Sequence, residues 1–240
     1  RDLTDGGDLM PLITTEAQGE WWGGRGGGTV SHSYVLSFFG DCAGSMLHFA
    51  RVLSPDVKRI ALVDTTNDCV RDSVRTALAM FRRRRELKAQ GKDDEAERYV
   101  LFAVRCDTAG EVRDRSVEPL GDPTLDCGVV PRLVANVRSA LDDLHNSAEV
   151  PAEAREEARR YFQAVRIVVS GGFGVERIRR FEREGVPVDS YGVGSSFLTT
   201  GHNDFTADVV RVRLDGKWVH MAKTGRGAME NENLRPVPMG

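Results

Sequence analysis

The sequence predicts an α/β fold in which parallel strands alternate with helices. Apolar runs such as 60–64 and 167–170 each end in polar or glycine residues, and the segments between such runs have the apolar spacing of helices. Two stretches, 167–174 and 188–196, each read as a short strand that enters a Gly/Ser turn before a helix or helix start. Barrel enzymes hold phosphate groups with such turns at the carboxyl rim of their strands. We therefore expect an α/β enzyme that binds a phosphate ester.

The expected elements follow in order along the chain. The glycine-rich stretch 23–28 leads into 29–39, which is rich in β-branched and aromatic residues. Strands are expected at 59–64, 99–104, 167–170 and 188–193, and helices at 41–52, 67–85, 131–144, 151–162 and 175–184. Residues 209–214 and 217–221 are expected to form a hairpin that turns at Asp215-Gly216.

Residues 82–98 carry many charges of both signs. Acidic residues follow the arginines at 82–85 closely, so this stretch is a poor candidate for nucleic-acid binding. A solvated helical hairpin is the better interpretation.

Composition excludes several classes of protein. The 240 residues include 33 Lys+Arg and 36 Asp+Glu, and this near-neutral balance argues against a dedicated nucleic-acid or membrane-surface protein. No apolar run approaches the roughly 20 residues that span a bilayer, and no signal peptide is evident. The chain begins with Arg and a glycine-rich stretch, and we expect it to be the later part of something longer.

The four cysteines lack the CxxC spacing of a zinc or redox site. We expect reduced, mostly buried thiols in a cytoplasmic protein. Cys106 lies beside a candidate functional motif and is the thiol to test for reactivity, although an inert role is favoured. The cysteines are Cys42, Cys69, Cys106 and Cys127.

Three successive predicted strands end in residues that can carry chemistry. The first ends in Asp64, the second in Arg105 with Asp107, and the third in the turn 170–172. An acid after a strand is often only a helix N-cap, but together these residues would meet at one barrel face. Carboxylates can bind a metal or sugar hydroxyls, and arginine can bind a phosphate.

His32 follows the glycine-rich stretch and stands between Ser31 and Ser33. A lone histidine is more often structural than catalytic, but these surroundings leave the two interpretations about even. The other histidines lack such surroundings and are expected to be structural or surface groups; they are His48, His145, His202 and His220.

Several motifs in this order resemble nicotinate phosphoribosyltransferase. They are Gly-Thr-Val-Ser-His-Ser at 28–33, Leu-Val-Asp-Thr-Thr-Asn-Asp at 62–68, Val-Arg-Cys-Asp-Thr at 104–108, Val-Ser-Gly-Gly from 169 with Glu176 and Ile178, Val-Asp-Ser-Tyr-Gly-Val-Gly at 188–194, and a tail at 203–208 and 222–226. The likeness runs from Trp21 onward and corresponds to the C-terminal half to two-thirds of such an enzyme.

The resemblance implies an irregular (β/α) barrel of the type II phosphoribosyltransferase kind, with the family's N-terminal sandwich domain missing from this chain. Residues 1–28 would be a leading segment and 29–240 the barrel portion, with 82–98 as an insertion. The family works as a dimer with shared sites, so a homodimer or larger assembly is implied, and a separate N-terminal half is a further possible partner. No nucleic-acid or membrane partner is expected.

The family transfers ribose 5-phosphate from phosphoribosyl pyrophosphate to nicotinate, giving nicotinate mononucleotide and pyrophosphate in NAD salvage. ATP is a co-substrate, and its hydrolysis is coupled through transient phosphorylation of the histidine that matches His32. The resemblance implies that Asp64 and Asp107 are catalytic and hold Mg²⁺, while Arg105 binds substrate or diphosphate. The implied phosphate-binding residues are Ser170, Gly171, Gly172, Gly192, Gly194 and Ser195.

One motif departs from the family pattern. The common run after the arginine is Leu-Asp-Ser-Gly-Asp, whereas residues 106–111 are Cys-Asp-Thr-Ala-Gly-Glu, so the second acid is displaced. Two alternatives stay open at this point: a relative that uses nicotinamide or another base, and a non-catalytic phosphate-binding subunit that needs a partner chain.

Overall fold

A parallel four-stranded sheet forms the centre of the fold. The computed structural model describes residues 27–194, 196 and 207–228, together with residues 17 and 20. The strands β1 (Ile60–Leu62), β2 (Ala103–Cys106), β3 (Arg166–Val169) and β4 (Ser190–Tyr191) lie side by side in chain order. The α/β class is thus confirmed, but within the described part of the chain the sheet does not close into a barrel.

Helices connect these strands. In chain order they are α1 (His32–Leu36), α2 (Cys42–Val52), α3 (Cys69–Ala89), α4 (Asp93–Glu97), α5 (Pro123–Asp126), α6 (Pro131–Asp143), α7 (Arg155–Gln163) and α8 (Val175–Arg183), with 3₁₀ turns at Leu144–Asn146 and Ala152–Ala154. Local signals explain several helix starts. The Asp68 side chain accepts from the Arg71 N–H and caps α3, and Pro131 stands in the first turn of α6, where its missing N–H costs nothing.

The two faces of the sheet have different roles. Ala61, Val104 and Ile167 align across the first three strands and are fully buried in the main core. Leu62, Arg105 and Val168 also align, and because side chains alternate along a strand they lie on the opposite face. The residues two positions after them are on that same face; they are Asp64, Asp107 and Ser170. The polar residues predicted at the strand ends therefore share one face and one edge.

The second strand begins later than the sequence predicts. Residues 99–104 were expected to be extended, but the Tyr161 hydroxyl donates to the Tyr99 carbonyl at 2.7 Å and accepts the Leu101 N–H at 3.0 Å. This side chain takes backbone groups that the sheet would otherwise pair. β2 also ends later than predicted, at Cys106, so Arg105 lies inside the strand and not after it.

The strand expected at 188–193 is also shorter, because only Ser190–Tyr191 pairs with β3 as a strand. Just before it, the Asp189 side chain accepts from the Ile167 N–H at 2.7 Å. A side-chain oxygen thus replaces a ladder carbonyl at this position.

Two hairpins confirm the sequence interpretation. Helix α3 extends to Ala89, past the predicted end, and α4 returns against it after a turn at Gly91, whose φ is 71°. The strands β5 (Arg211–Leu214) and β6 (Lys217–His220) pair in antiparallel fashion. Their turn is at Asp215-Gly216, where both residues have positive φ, as a two-residue hairpin turn requires.

All four cysteines are free, and Cys42, Cys69 and Cys106 are buried. This agrees with the expectation of mostly buried thiols. Burial raises the pKa of the Cys42 thiol to about 12, which keeps this sulfur protonated and inert at neutral pH.

Candidate functional site

Four side chains from four separate segments meet at the carboxyl edge of the sheet. In chain order they are His32 at the start of α1, Asp64 after β1, Asp107 directly after β2 and Lys223 after β6. The Ser31 side chain accepts from the Tyr34 N–H and caps α1. This cap fixes the point at which the histidine begins the helix.

Asp64 lies at the centre of this group, and its side chain has no exposed surface. His32 Nε2 lies 3.0 Å from Asp64 Oδ1 and 3.1 Å from Oδ2. The Lys223 ammonium donates to Asp64 Oδ2 at 2.6 Å. Both carboxylate oxygens of Asp64 therefore have hydrogen-bond partners, as a buried charge requires.

Asp107 is more open than Asp64. Its Oδ1 accepts from the Ser170 hydroxyl at 2.6 Å. Its Oδ2 lies 3.6 Å from Lys223 Nζ and 4.0 Å from His32 Nε2, and 22 % of the side chain is exposed. Ser170 and Lys223 thus orient Asp107, and Oδ2 is the oxygen best placed to meet a ligand.

The surroundings of Asp64 favour its ionised form. Burial alone would raise the pKa of Asp64, but the hydrogen bond and charge of His32, together with the charge and hydrogen bond of Lys223, outweigh burial. The pKa of this carboxyl is therefore below its ordinary value. The site keeps a buried negative charge at neutral pH.

Lys223 is the residue that the sequence interpretation missed as a site residue. It belongs to the 222–226 tail, but no local pattern marks a lysine after a hairpin as part of a site. Its side chain is 6 % exposed, and its ammonium also donates to the Asp107 carbonyl at 2.6 Å. Only the tertiary fold brings it to Asp64.

Arg105 lies on the same face of the sheet as the two aspartates. Its Nη2 donates to the Val30 carbonyl at 3.3 Å, while its buried Nε has no hydrogen-bond partner. Among the described residues no carboxylate forms an ion pair with Arg105. A guanidinium without a carboxylate partner keeps a positive charge that can pair with an anionic ligand.

The first glycine turn follows β3 directly. Gly171 and Gly172 both have positive φ, at 88° and 75°. A Cβ at Gly171 would lie 3.4 Å from Asp107 Oδ1, so the turn passes close to the carboxylate. Within the described ranges neither glycine N–H has an acceptor, and both are exposed.

Arg177 holds the other side of this turn. Its Nη1 donates to the Gly171 carbonyl at 2.7 Å and its Nη2 to the Val129 carbonyl at 2.6 Å. The guanidinium also lies over the Phe173 ring, 4.2 Å from the centroid. Because Arg177 binds the Gly171 carbonyl, it fixes the position of the turn. The sequence interpretation did not single out Arg177.

The second glycine turn is only partly described. The Gly192 N–H donates to the Val169 carbonyl at 2.7 Å, so this N–H extends the sheet pairing. A Cβ at Gly192 would lie only 3.0 Å from the Ser170 Cβ. Glycine is therefore favoured here because the two segments approach each other closely. Gly194 is exposed, and Ser195 lies outside the described residues.

The remaining histidines lie apart from this group. His48 Nδ1 is 3.3 Å from a tyrosine hydroxyl, and His145 Nδ1 is 2.7 Å from a backbone carbonyl. His220 is exposed on β6, and His202 lies outside the described residues.

The donor atoms of the site suit a divalent cation. Ligand atoms of His32, Asp64 and Asp107 all lie within 4.8 Å of one another. Carboxylate oxygens suit Mg²⁺, and the imidazole adds a nitrogen donor. The Lys223 ammonium lies among the same atoms, so the carboxylate pair already has a positive partner.

The chain is similar to proteins of known structure but matches no known family model. No protein-family model matches the chain, and no curated protein matches it. A solved structure, the nicotinate-nucleotide pyrophosphorylase from Pyrococcus furiosus, is similar to it with 27 % sequence identity and a TM-score of 0.48. The similarity covers 92 % of this chain and 42 % of the other, so the chain spans less than half the length of that protein.

The described helices differ from membrane-spanning helices. None of them is both long enough and apolar enough to cross a bilayer.

Proposed function

We propose that this chain transfers ribose 5-phosphate from phosphoribosyl pyrophosphate to nicotinate, giving nicotinate mononucleotide and pyrophosphate. The observation that carries the proposal is the convergence of His32, Asp64 and Asp107 beside Arg105 at one edge of a parallel sheet. These residues come from separate motifs that each resemble nicotinate phosphoribosyltransferase. Ligands of α/β sheets bind at this carboxyl edge.

The carboxylates suit the charge that develops in such a transfer. The bond from ribose C1 to the pyrophosphate oxygen breaks, C1 becomes positive, and the ring nitrogen of nicotinate forms the new bond. A fixed carboxylate near C1 stabilises this positive charge. Asp107 Oδ2 suits that role, because Oδ1 is held by Ser170 and the side chain is partly exposed.

The phosphate groups of the substrate need hydrogen-bond donors. Arg105 is proposed to bind the diphosphate through its guanidinium, which forms no ion pair with a carboxylate of the described residues. The N–H groups of Gly171, Gly172 and Gly194 are proposed to bind the 5′-phosphate. The proposed phosphate site also includes Ser170, Gly192 and Ser195. Ser170 would act indirectly, by holding Asp107 through a hydrogen bond, and Gly192 would let the second turn lie close to Ser170.

His32 is proposed to couple ATP hydrolysis to the transfer. A carboxylate only accepts hydrogen bonds, so in the neutral form of the ring the hydrogen is on Nε2, which faces Asp64, and the lone pair is on Nδ1. In this proposal Nδ1 attacks the γ-phosphorus of ATP, the bond from phosphorus to the bridging oxygen breaks, and ADP leaves. Mg²⁺ held by Asp64 and Asp107 would neutralise phosphate charge.

A steady-state assay tests the reaction. The natural gene product is supplied with phosphoribosyl pyrophosphate and nicotinate, with and without ATP, and the mononucleotide and pyrophosphate are measured. Parallel reactions contain nicotinamide or quinolinate. Product from nicotinate supports the proposal, whereas product from nicotinamide or quinolinate alone contradicts the choice of base.

The same assay addresses a non-catalytic role. Activity that appears only after a second chain is added would favour a phosphate-binding subunit over a self-sufficient enzyme. Size measurement in solution tests the accompanying proposal of a homodimer or larger assembly, and fractionation of cells tests the proposed cytoplasmic location.

His32→Ala tests the ATP coupling separately. We expect this variant to lose ATP stimulation and to keep some ATP-independent transfer, because the proposed phosphate acceptor is removed while Asp107 and Arg105 stay. Product formation is measured with and without ATP, and His48→Ala serves as the matched control. Equal ATP stimulation in His32→Ala and the parent protein would refute the role.

A further inference from the structure

A buried lysine stands between the two carboxylates that were expected to hold a metal ion. Lys223 Nζ lies 2.6 Å from Asp64 Oδ2 and 3.6 Å from Asp107 Oδ2. The lysine side chain is 6 % exposed, and that of Asp64 is fully buried. Asp64 is fully buried and Asp107 is 22 % exposed, so without a cation the two carboxylates would repel each other in a space that water reaches only in part, and the ammonium supplies the positive charge.

The ammonium competes for the same atoms that a metal ion would use. Asp64 Oδ2 accepts directly from Lys223, and Asp107 Oδ2 faces the same nitrogen. The other oxygens are taken up by His32 and Ser170. A divalent cation on this carboxylate pair would therefore meet a positive charge in a poorly solvated space, where repulsion is strong.

Lys223 is part of a segment that joins the loops of both aspartates. The Thr224 N–H donates to the Thr65 carbonyl at 3.1 Å, next to Asp64. Arg226 pairs with Glu111 at 3.0 Å, in the loop after Asp107. Gly225 has a φ of 84°, and a Cβ there would lie 2.5 Å from a Val112 methyl group. We call residues 223–226 the lysine strap.

We propose that Lys223 is the built-in counter-ion of the Asp64–Asp107 pair, and that a divalent cation binds these carboxylates only when the ammonium is displaced. The lysine strap thereby sets how tightly the site holds metal. This inference rests on the site of the proposed function and concerns its regulation by metal.

Metal binding by variants gives the first test. Mn²⁺ is titrated into the protein without substrate, and free Mn²⁺ is followed by electron paramagnetic resonance. We expect Lys223→Met to lower the Kd for Mn²⁺ by about tenfold or more, equivalent to about 1.4 kcal/mol. Lys217→Met removes an exposed lysine of the hairpin that precedes Lys223 and should leave the Kd unchanged. Asp107→Asn should weaken binding.

Chemical labelling of the parent protein gives a second test that does not depend on a variant that folds. Lysines are acetylated by a brief pulse of an N-hydroxysuccinimide ester, with and without saturating Mn²⁺, and mass spectrometry measures each site. We expect Mn²⁺ to raise labelling of Lys223 by about fivefold or more, because a displaced ammonium reaches water. Lys217 should be labelled equally in both samples.

Three results would overturn the inference. The first is that folded Lys223→Met binds Mn²⁺ with unchanged or weaker affinity. The second is that Lys223 stays protected from acetylation while Mn²⁺ saturates the site. The third is that neither protein binds Mn²⁺. Neither measurement uses phosphoribosyl pyrophosphate or a base. Failure of the metal inference is therefore distinguishable from failure of the proposed reaction.

Discussion

Ion pairs join separate segments both at the carboxyl edge of the sheet and in the charged helical hairpin of residues 82–98. At the sheet edge, Lys223 and Asp64 are 2.6 Å apart, with side chains 6 % and 0 % exposed. In the hairpin, Arg84 and Glu97 are 2.7 Å apart, with side chains 16 % and 56 % exposed. The distances are similar, and the solvent around the charges is not.

The comparison shows that burial, and not distance, decides what an ion pair does. In the hairpin, water already solvates the Glu97 carboxylate, so pairing gains little for that charge. At the sheet edge the desolvation cost is paid by the fold, and removing one partner leaves an uncompensated buried charge. The buried Asp64–Lys223 pair lies on the same sheet face as Arg105, and a charge buried at such a cost indicates function more than stability.

The largest expected effect is on the reaction. In the proposed reaction, Asp107→Asn should lower kcat by about 100-fold or more, because the charge proposed to face the reacting carbon is lost while shape is kept. Glu97→Gln removes a carboxylate of the hairpin and should leave kcat unchanged. Mononucleotide formation under saturating substrate measures both. Equal rates in the two variants would break the comparison.

Next in size is the stability of the site. Lys223→Met should reduce the free energy of unfolding by about 3 kcal/mol, because Asp64 keeps its charge without its ammonium partner. Lys217→Met is the exposed control. Urea unfolding followed by circular dichroism gives both values, and a loss below about 1 kcal/mol in Lys223→Met would contradict the buried-pair interpretation.

Acid should destabilise the protein through Asp64 at the carboxyl edge of the sheet. The pKa of Asp64 is lowered in the folded state, so its ionisation contributes stability above the unfolded pKa of about 3.9. That contribution is lost as the pH falls through the lower, folded-state pKa. We expect stability to fall more steeply with acid in the parent than in Asp64→Asn, measured by urea unfolding at a series of pH values. Parallel curves would show that Asp64 does not contribute.

The smallest expected effect is in the hairpin. Glu97→Gln should change the free energy of unfolding by less than about 1 kcal/mol, because the Glu97 side chain is 56 % exposed and water solvates its charge. The effect should also shrink in high salt. A loss as large as that of Lys223→Met would mean that exposure is a poor guide to the energetics of these pairs.

The sequence predicted the parts of the site that local pattern controls. Asp64 and Asp107 were found because apolar runs end at them, and parallel strands bring such ends to one edge. The turn at Asp215-Gly216 was predicted because these residues tolerate positive φ. The hairpin at 82–98 was predicted from its mixed charges.

Side chains from distant segments explain what the sequence did not predict. Tyr161, about sixty residues away, binds the backbone at Tyr99 and Leu101 and delays the start of β2. Arg177 fixes the glycine turn through a carbonyl. No pattern within a short window contains such pairings.

The sequence by itself therefore determined the alternation of strands and helices, the two aspartates at the strand ends and the position of His32 after a glycine-rich stretch. Local periodicity and turn chemistry specify these features. The tertiary structure alone decided that His32 meets Asp64, that Arg105 lies within a strand without a carboxylate partner among the described residues, and that Lys223 lies against Asp64. These depend on contacts across as many as 159 positions, from Asp64 to Lys223, which burial and charge balance select.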